Sequence, residues 1–77
     1  MNNTRRKELR RISDAISDLA ADLEAVIGDE QEAFDNLPES LQGSERGETM
    51  EEFIDTMSDA QSQLEDAAGA LMDIAQG

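Results

Sequence analysis

Two runs of apolar residues, each repeating every seven positions and separated by the chain's one proline, restrict this sequence to a helical hairpin. From Leu9 the apolar side chains step alternately by three and four: Leu9, Ile12, Ile16, Leu19, Leu23 and Val26, closing on Ala33 and Leu37. Written as a heptad, Leu9, Ile16, Leu23, Glu30 and Leu37 take position a, and Ile12, Leu19, Val26 and Ala33 take d. Position e holds Ser13 and Ala20 and then turns apolar at Ile27 and Phe34. The second run has Met50, Met57, Leu64 and Leu71 at a, Phe53, Ala60, Ala67 and Ile74 at d, and Ile54, Gln61, Ala68 and Ala75 at e. Each run spans about 43 Å at 1.5 Å per residue. Equal lengths predict an all-α fold, an antiparallel hairpin forming one domain over residues 1–77, with helices at about 4–36 and 45–76 and a loop at about 37–44.

The loop reading rests on Pro38, which disfavours helix at Leu37, and on Gly43, which ends any short turn at Gln42. Ser44 or Thr49 caps the second helix, the latter through a capping-box pattern reaching Glu52. Folding there predicts Leu37 beside Met50, Phe34 beside Phe53, Leu23 beside Leu64 and Ile12 beside Ile74.

A stripe three positions wide on each helix is more than a two-helix hairpin can cover. Left in water it forms an apolar patch of the kind that marks an interaction site. The chain has 77 residues and neither cysteine nor histidine, so the disulfides and metals that often stabilise small domains are replaced by one remaining staple, a partner subunit. A second copy closing a four-helix bundle is the simplest partner. The expected core and dimer interface is Leu9, Ile12, Ile16, Leu19, Leu23, Val26, Ile27, Phe34, Met50, Phe53, Ile54, Met57, Leu64, Leu71 and Ile74.

Charge is unevenly placed. Residues 1–11 hold five basic side chains against Glu8, a balance of +4, and residues 12–77 hold 18 acidic groups against Arg46 alone, −17, which together give the net −13. So negative a body repels phosphate, which argues against direct nucleic-acid binding and against anionic membranes, and favours proteins with basic surfaces. No stretch approaches the roughly 20 apolar residues that span a bilayer. Ser13, Asp14 and Asp18 interrupt anything resembling a secretory signal, so the expected location is the cytoplasm.

Catalysis has few reagents here: no histidine, no cysteine, and one lysine, Lys7, in the basic cluster. The reading is of a non-enzyme with no catalytic residues, no cofactor and no dedicated metal site, since neither Glu-x-x-His pairs nor an EF-hand loop is present. Glu30 interrupts an apolar row and is expected at the rim of the core, with a buried pairing across the dimer or to Arg46 as the competing reading. Glu52, Asp59, Asp66 and Asp73 recur at position c as an acidic ridge. Such a run is ordinarily a solvated face; the sharper reading is a partner-binding surface that imitates a nucleic-acid backbone. Gly28 and Gly69 fall at position f, on the outermost side.

The segment from Phe34 through Asn36-Leu37-Pro38-Glu39-Ser40-Leu41-Gln42-Gly43-Ser44-Glu45-Arg46-Gly47-Glu48, followed by Met50-Glu51-Glu52 and Ile54-Asp55, resembles a family of small acidic proteins. These are encoded by phages, prophages and mobile elements of Firmicutes-type bacteria. The likeness covers roughly residues 31 to 75, and the family carries no assigned activity, so no functional residue is transferred. It implies a cytoplasmic accessory protein that serves such an element against its host, for example by inhibiting a host defence protein through the acidic surfaces. Two other readings stand beside it: a scaffold whose only partner is itself, and a sponge for a small nucleotide signal held by the basic cluster.

Overall fold

The computed structural model describes the whole chain, Met1–Gly77. It is all-α: α1 (Asn3–Asp35), a single turn α2 (Glu39–Gln42), and α3 (Glu45–Gln76). Asn2 caps α1, its side-chain oxygen accepting the Arg5 N–H at 2.9 Å. Ser44 caps α3, accepting the Gly47 N–H at 3.4 Å, while its hydroxyl donates to the Leu41 carbonyl. Thr49 is therefore interior to α3, its hydroxyl donating to the Glu45 carbonyl. Glu45 and Glu48 lie in the first turn of α3, at the positive pole of the helix dipole.

Leu37 leaves the helical path before Pro38, its N–H donating to the Phe34 carbonyl at 3.0 Å. The Gln42 side-chain amide donates to both Leu37 (3.2 Å) and Phe34 (3.4 Å). Gly43 closes α2 at φ −87°, a conformation open to any residue, so the glycine that matters lies four positions on. Gly47 is buried, and a Cβ there would stand 2.1 Å from the Gln42 carbonyl oxygen. Only a residue without a side chain lets α2 sit on the first turn of α3.

α1 and α3 pack antiparallel into a rod of 58 × 14 × 12 Å. Their register differs from the sequence expectation. Ser13 donates to the Ala68 carbonyl at 2.8 Å, Gln61 donates to the Ala20 carbonyl at 3.4 Å, and Val26, not Phe34, shares a groove with Phe53. Relative to the expected pairs α3 is moved by about six residues, or about 9 Å. The turn sets the observed register: α1 stops at Asp35 and α3 begins at Glu45, which centres the hairpin near Ser40, as the expected loop bounds also do, whereas the expected pairs are centred beyond Gly43.

Candidate interaction face

The seam of the hairpin runs along positions a and e. Ser13, Ala20, Gly47, Ala68 and Ala75, all at e, are the buried residues, and the a-row side chains from Leu9 to Leu71 are half-buried. Small e residues let the helices approach closely enough for side chains of one to reach main-chain carbonyls of the other. Arg10 makes a third such bond, to the Ala75 carbonyl at 3.2 Å. That places a cation at the negative pole of α3, whose last turn has no basic residue of its own.

Of the residues expected in the core, Leu9, Ile16, Leu23, Ile27 and Phe34 on α1 lie half-buried in this seam. So do Met50, Ile54, Met57, Leu64 and Leu71 on α3. The d row does not join them. Leu19, Val26, Phe53 and Ile74 are 50–59% exposed, and only Ile12 and Ala60 are partly covered. Within the hairpin the a and e rows form the seam and the d row is left outside. In an antiparallel pair the two d rows fall on the same side, and a shallow groove lined by Val26, Glu30, Phe53 and Met57 joins them. The opposite side is polar, with Asp14, Ser17 and Glu65 around Ser13 and Ala68.

Glu30 sits half-buried at the margin of the apolar face, in a groove it shares with Arg46, Met50 and Phe53. It forms no ion pair there, since Arg11 with Glu8 is the one salt bridge of the chain. The Arg11 hydrogen bond holds the Glu8 carboxyl below its ordinary 4.5 and raises the guanidinium in turn. Both side chains are exposed, so this pair adds little to stability. Glu52, Asp59, Asp66 and Asp73 are exposed along the flank of α3. No group of three or more acidic residues is placed to hold a metal ion, and no helix is long and apolar enough to cross a membrane. Around Gly28 and Gly69 a Cβ would meet nothing within 4 Å.

The stripe read from the sequence already holds Ser13, Ala20, Gln61, Ala68 and Ala75 at e. What it does not mark is that Ser13 and Gln61 bond to carbonyls across the seam and that Gly47, which looks like a stray glycine early in a helix, permits the contact with α2. Comparison with known families, curated proteins and solved structures finds no match. The interaction face has to be read from its own chemistry.

Proposed function

We propose that this chain is a non-enzymatic, homo-oligomeric interaction protein that takes a second copy on its d-row face, completing a four-helix bundle. The observation that carries the reading is the thinness of the hairpin's own core: five of 77 residues are buried, and no large side chain is fully enclosed. A compact monomer of 8.4 kDa exposes about 4,600 Å², whereas this rod exposes 5440 Å². The excess, about 800 Å², equals the area that one partner contributes to an interface of standard size.

Once that face is covered, the remaining surface is overwhelmingly acidic, and the Glu52, Asp59, Asp66 and Asp73 ridge remains outside. We propose that this surface meets a basic face on a host protein, the element-borne inhibitor that the loop resemblance implies, in the host cytoplasm. The ridge alone spaces carboxylates about 10.5 Å apart against about 1.7 Å per phosphate on duplex DNA, so imitation of DNA needs the α1 acids and the second copy as well. The nucleotide-sponge reading is weakened because two of the five N-terminal cations are engaged, Arg10 with the α3 end and Arg11 with Glu8.

Light scattering coupled to chromatography tests the first part. The expected mass is about twice 8.4 kDa, and a cooperatively folded monomer at micromolar concentration overturns it. For the second part, host proteins are captured on the wild type and on a variant with Glu52, Asp59, Asp66 and Asp73 amidated. Salt-sensitive capture lost in the folded variant supports the host partner; self-assembly with no captured protein leaves the scaffold reading in its place.

A further inference from the structure

All nine carboxylates of α3 fall at heptad positions b, c and f, leaving a, d, e and g free of negative charge. The hairpin seam uses a and e. Position g, next to d on the exposed side, holds Thr49, Thr56, Gln63 and Ala70. In a chain of net charge −13, an uncovered strip of d and g residues carrying no acid along a whole helix is a surface shaped to meet another acidic molecule. The corresponding g row of α1 is different, with Glu8, Asp22 and Asp29.

Resting on the homo-oligomer reading above, we propose that the second copy docks with its ends exchanged, the loop end of each hairpin over the terminal end of the other, so that α3 packs on α3 and α1 on α1. Two arrangements put both d faces together with every neighbouring helix antiparallel. One keeps like ends together and sets α3 against the other copy's acid-flanked α1. The other exchanges ends and sets the acid-free strip of α3 on itself.

Charge at the ends separates the two. Residues 1–11 balance to +4, and residues 29–39, at the loop end of α1, carry five acids and no base. Exchanging ends lays each +4 segment over a −5 segment, while keeping like ends together gathers both +4 segments at diagonal corners of one end and both −5 segments at diagonal corners of the other. Arg46, the one base of α3 and its first d residue, then lies by the carboxyl end of the other α3, where no basic residue of that helix stands.

Shape agrees. With the twofold axis at Ala60, the middle of the d row, Phe53 opposes Ala67 of the second copy and Ala60 opposes its own equivalent. On the α1 side Leu19 meets Leu19 and Ile12 meets Val26. The axis crosses both helices at one level, because Leu19 stands seven residues before Val26 and Ala60 seven after Phe53, and Val26 and Phe53 share one groove across the antiparallel pair. The large Phe53 side chain thus faces a small one, and the closest approach of the two α3 helices is alanine on alanine.

Spin labelling of the full chain decides the matter. In the cysteine-free background the exposed loop residue is changed, Ser40→Cys, labelled, and the label-to-label distance measured by pulsed dipolar spectroscopy. Ends exchanged, the two labels stand about 50 Å apart, set by the helical rise from the axis to the loop; like ends together, about 20 Å, set by the width of a bundle. The long distance supports the proposal. The short one overturns it while leaving the homodimer intact, and absence of any dipolar signal overturns the homodimer reading as well. Independently, Ala60→Cys should oxidise to a disulfide-linked dimer, because Ala60 lies on the axis; failure of that dimer to form also rejects the proposed arrangement, since the alternative holds the two α3 helices on opposite corners of the bundle.

Discussion

Truncating Phe53 to alanine weighs the uncovered face directly. Phe53 is 58% exposed in the hairpin, which leaves about 120 Å² of the roughly 200 Å² of an aromatic side chain for a partner to cover. The alanine methyl retains about a third of that contact. About 80 Å² is lost per copy, worth about 2 kcal/mol at 25 cal/mol per Å², or about 4 kcal/mol for a dimer that buries two. At 1.4 kcal/mol per decade the dissociation constant should rise close to a thousandfold. Sedimentation equilibrium over a wide concentration range reads this, with Leu41→Ala as control. Leu41 is 41% exposed but lies in α2, off the face, so its truncation should leave the constant nearly unmoved. Equal effects from the two substitutions, or a wild-type melting temperature independent of concentration, would refute the reasoning, because burial by a partner would then not be what Phe53 is for.

Gly47→Ala should lower stability by about 1–3 kcal/mol through overpacking against the Gln42 carbonyl, whereas Gly28→Ala, with open space around it, should raise it by about 1 kcal/mol; urea titration reads both. Ser13→Ala removes the 2.8 Å bond to the Ala68 carbonyl and should cost about 1 kcal/mol, and Ser13→Leu should cost more by forcing a large side chain into a buried position of the seam. Acidification from pH 7 to 5 should raise the melting temperature as carboxylate repulsion begins to fall. The Glu8 contribution has the opposite sign: its lowered pKa stabilises above 4.5 and is lost only as pH falls below that. A melting temperature that drops steadily from pH 7 to 5 would contradict the repulsion argument.

The helical periods, the break at Pro38 and the antiparallel arrangement could all be read from spacing, because each depends on local chemistry that the sequence displays. Which rows of the stripe face inward could not. Side-chain size favours d, with Leu19, Val26, Phe53 and Ile74, over an e row containing Ser13, Gln61 and three alanines. The hairpin selects the small row because it allows the closer approach and because its two polar members find carbonyls on the opposite helix. Toward the loop end the same row is large, with Ile27, Phe34 and Ile54 half-buried, so size alone does not mark the row that packs. The register was legible in the expected loop bounds, whose centre lies near Ser40, although the expected pairs are drawn about a point beyond Gly43. What the sequence hides is how the four-residue turn docks, on Gly47, a residue whose role is the absence of a side chain. Arg10 could be placed from the dipole argument, since the antiparallel pairing brings the terminal end of α1 to the carboxyl end of α3 whatever the register.

That docking occurs at one end only, and beyond it the rod is repetition. Ser17–Leu23 and Ser58–Leu64 occupy the same slab, since the bond between Ala20 and Gln61 crosses its middle. Excising both blocks together would shorten the rod by about 10 Å and leave the turn, the caps and the phase of every remaining row untouched, whereas excising either alone would put one helix a full repeat out of step with the other. Length is therefore a free variable of this architecture, adjustable in matched pairs of heptads, and the loop end is the origin from which it is counted.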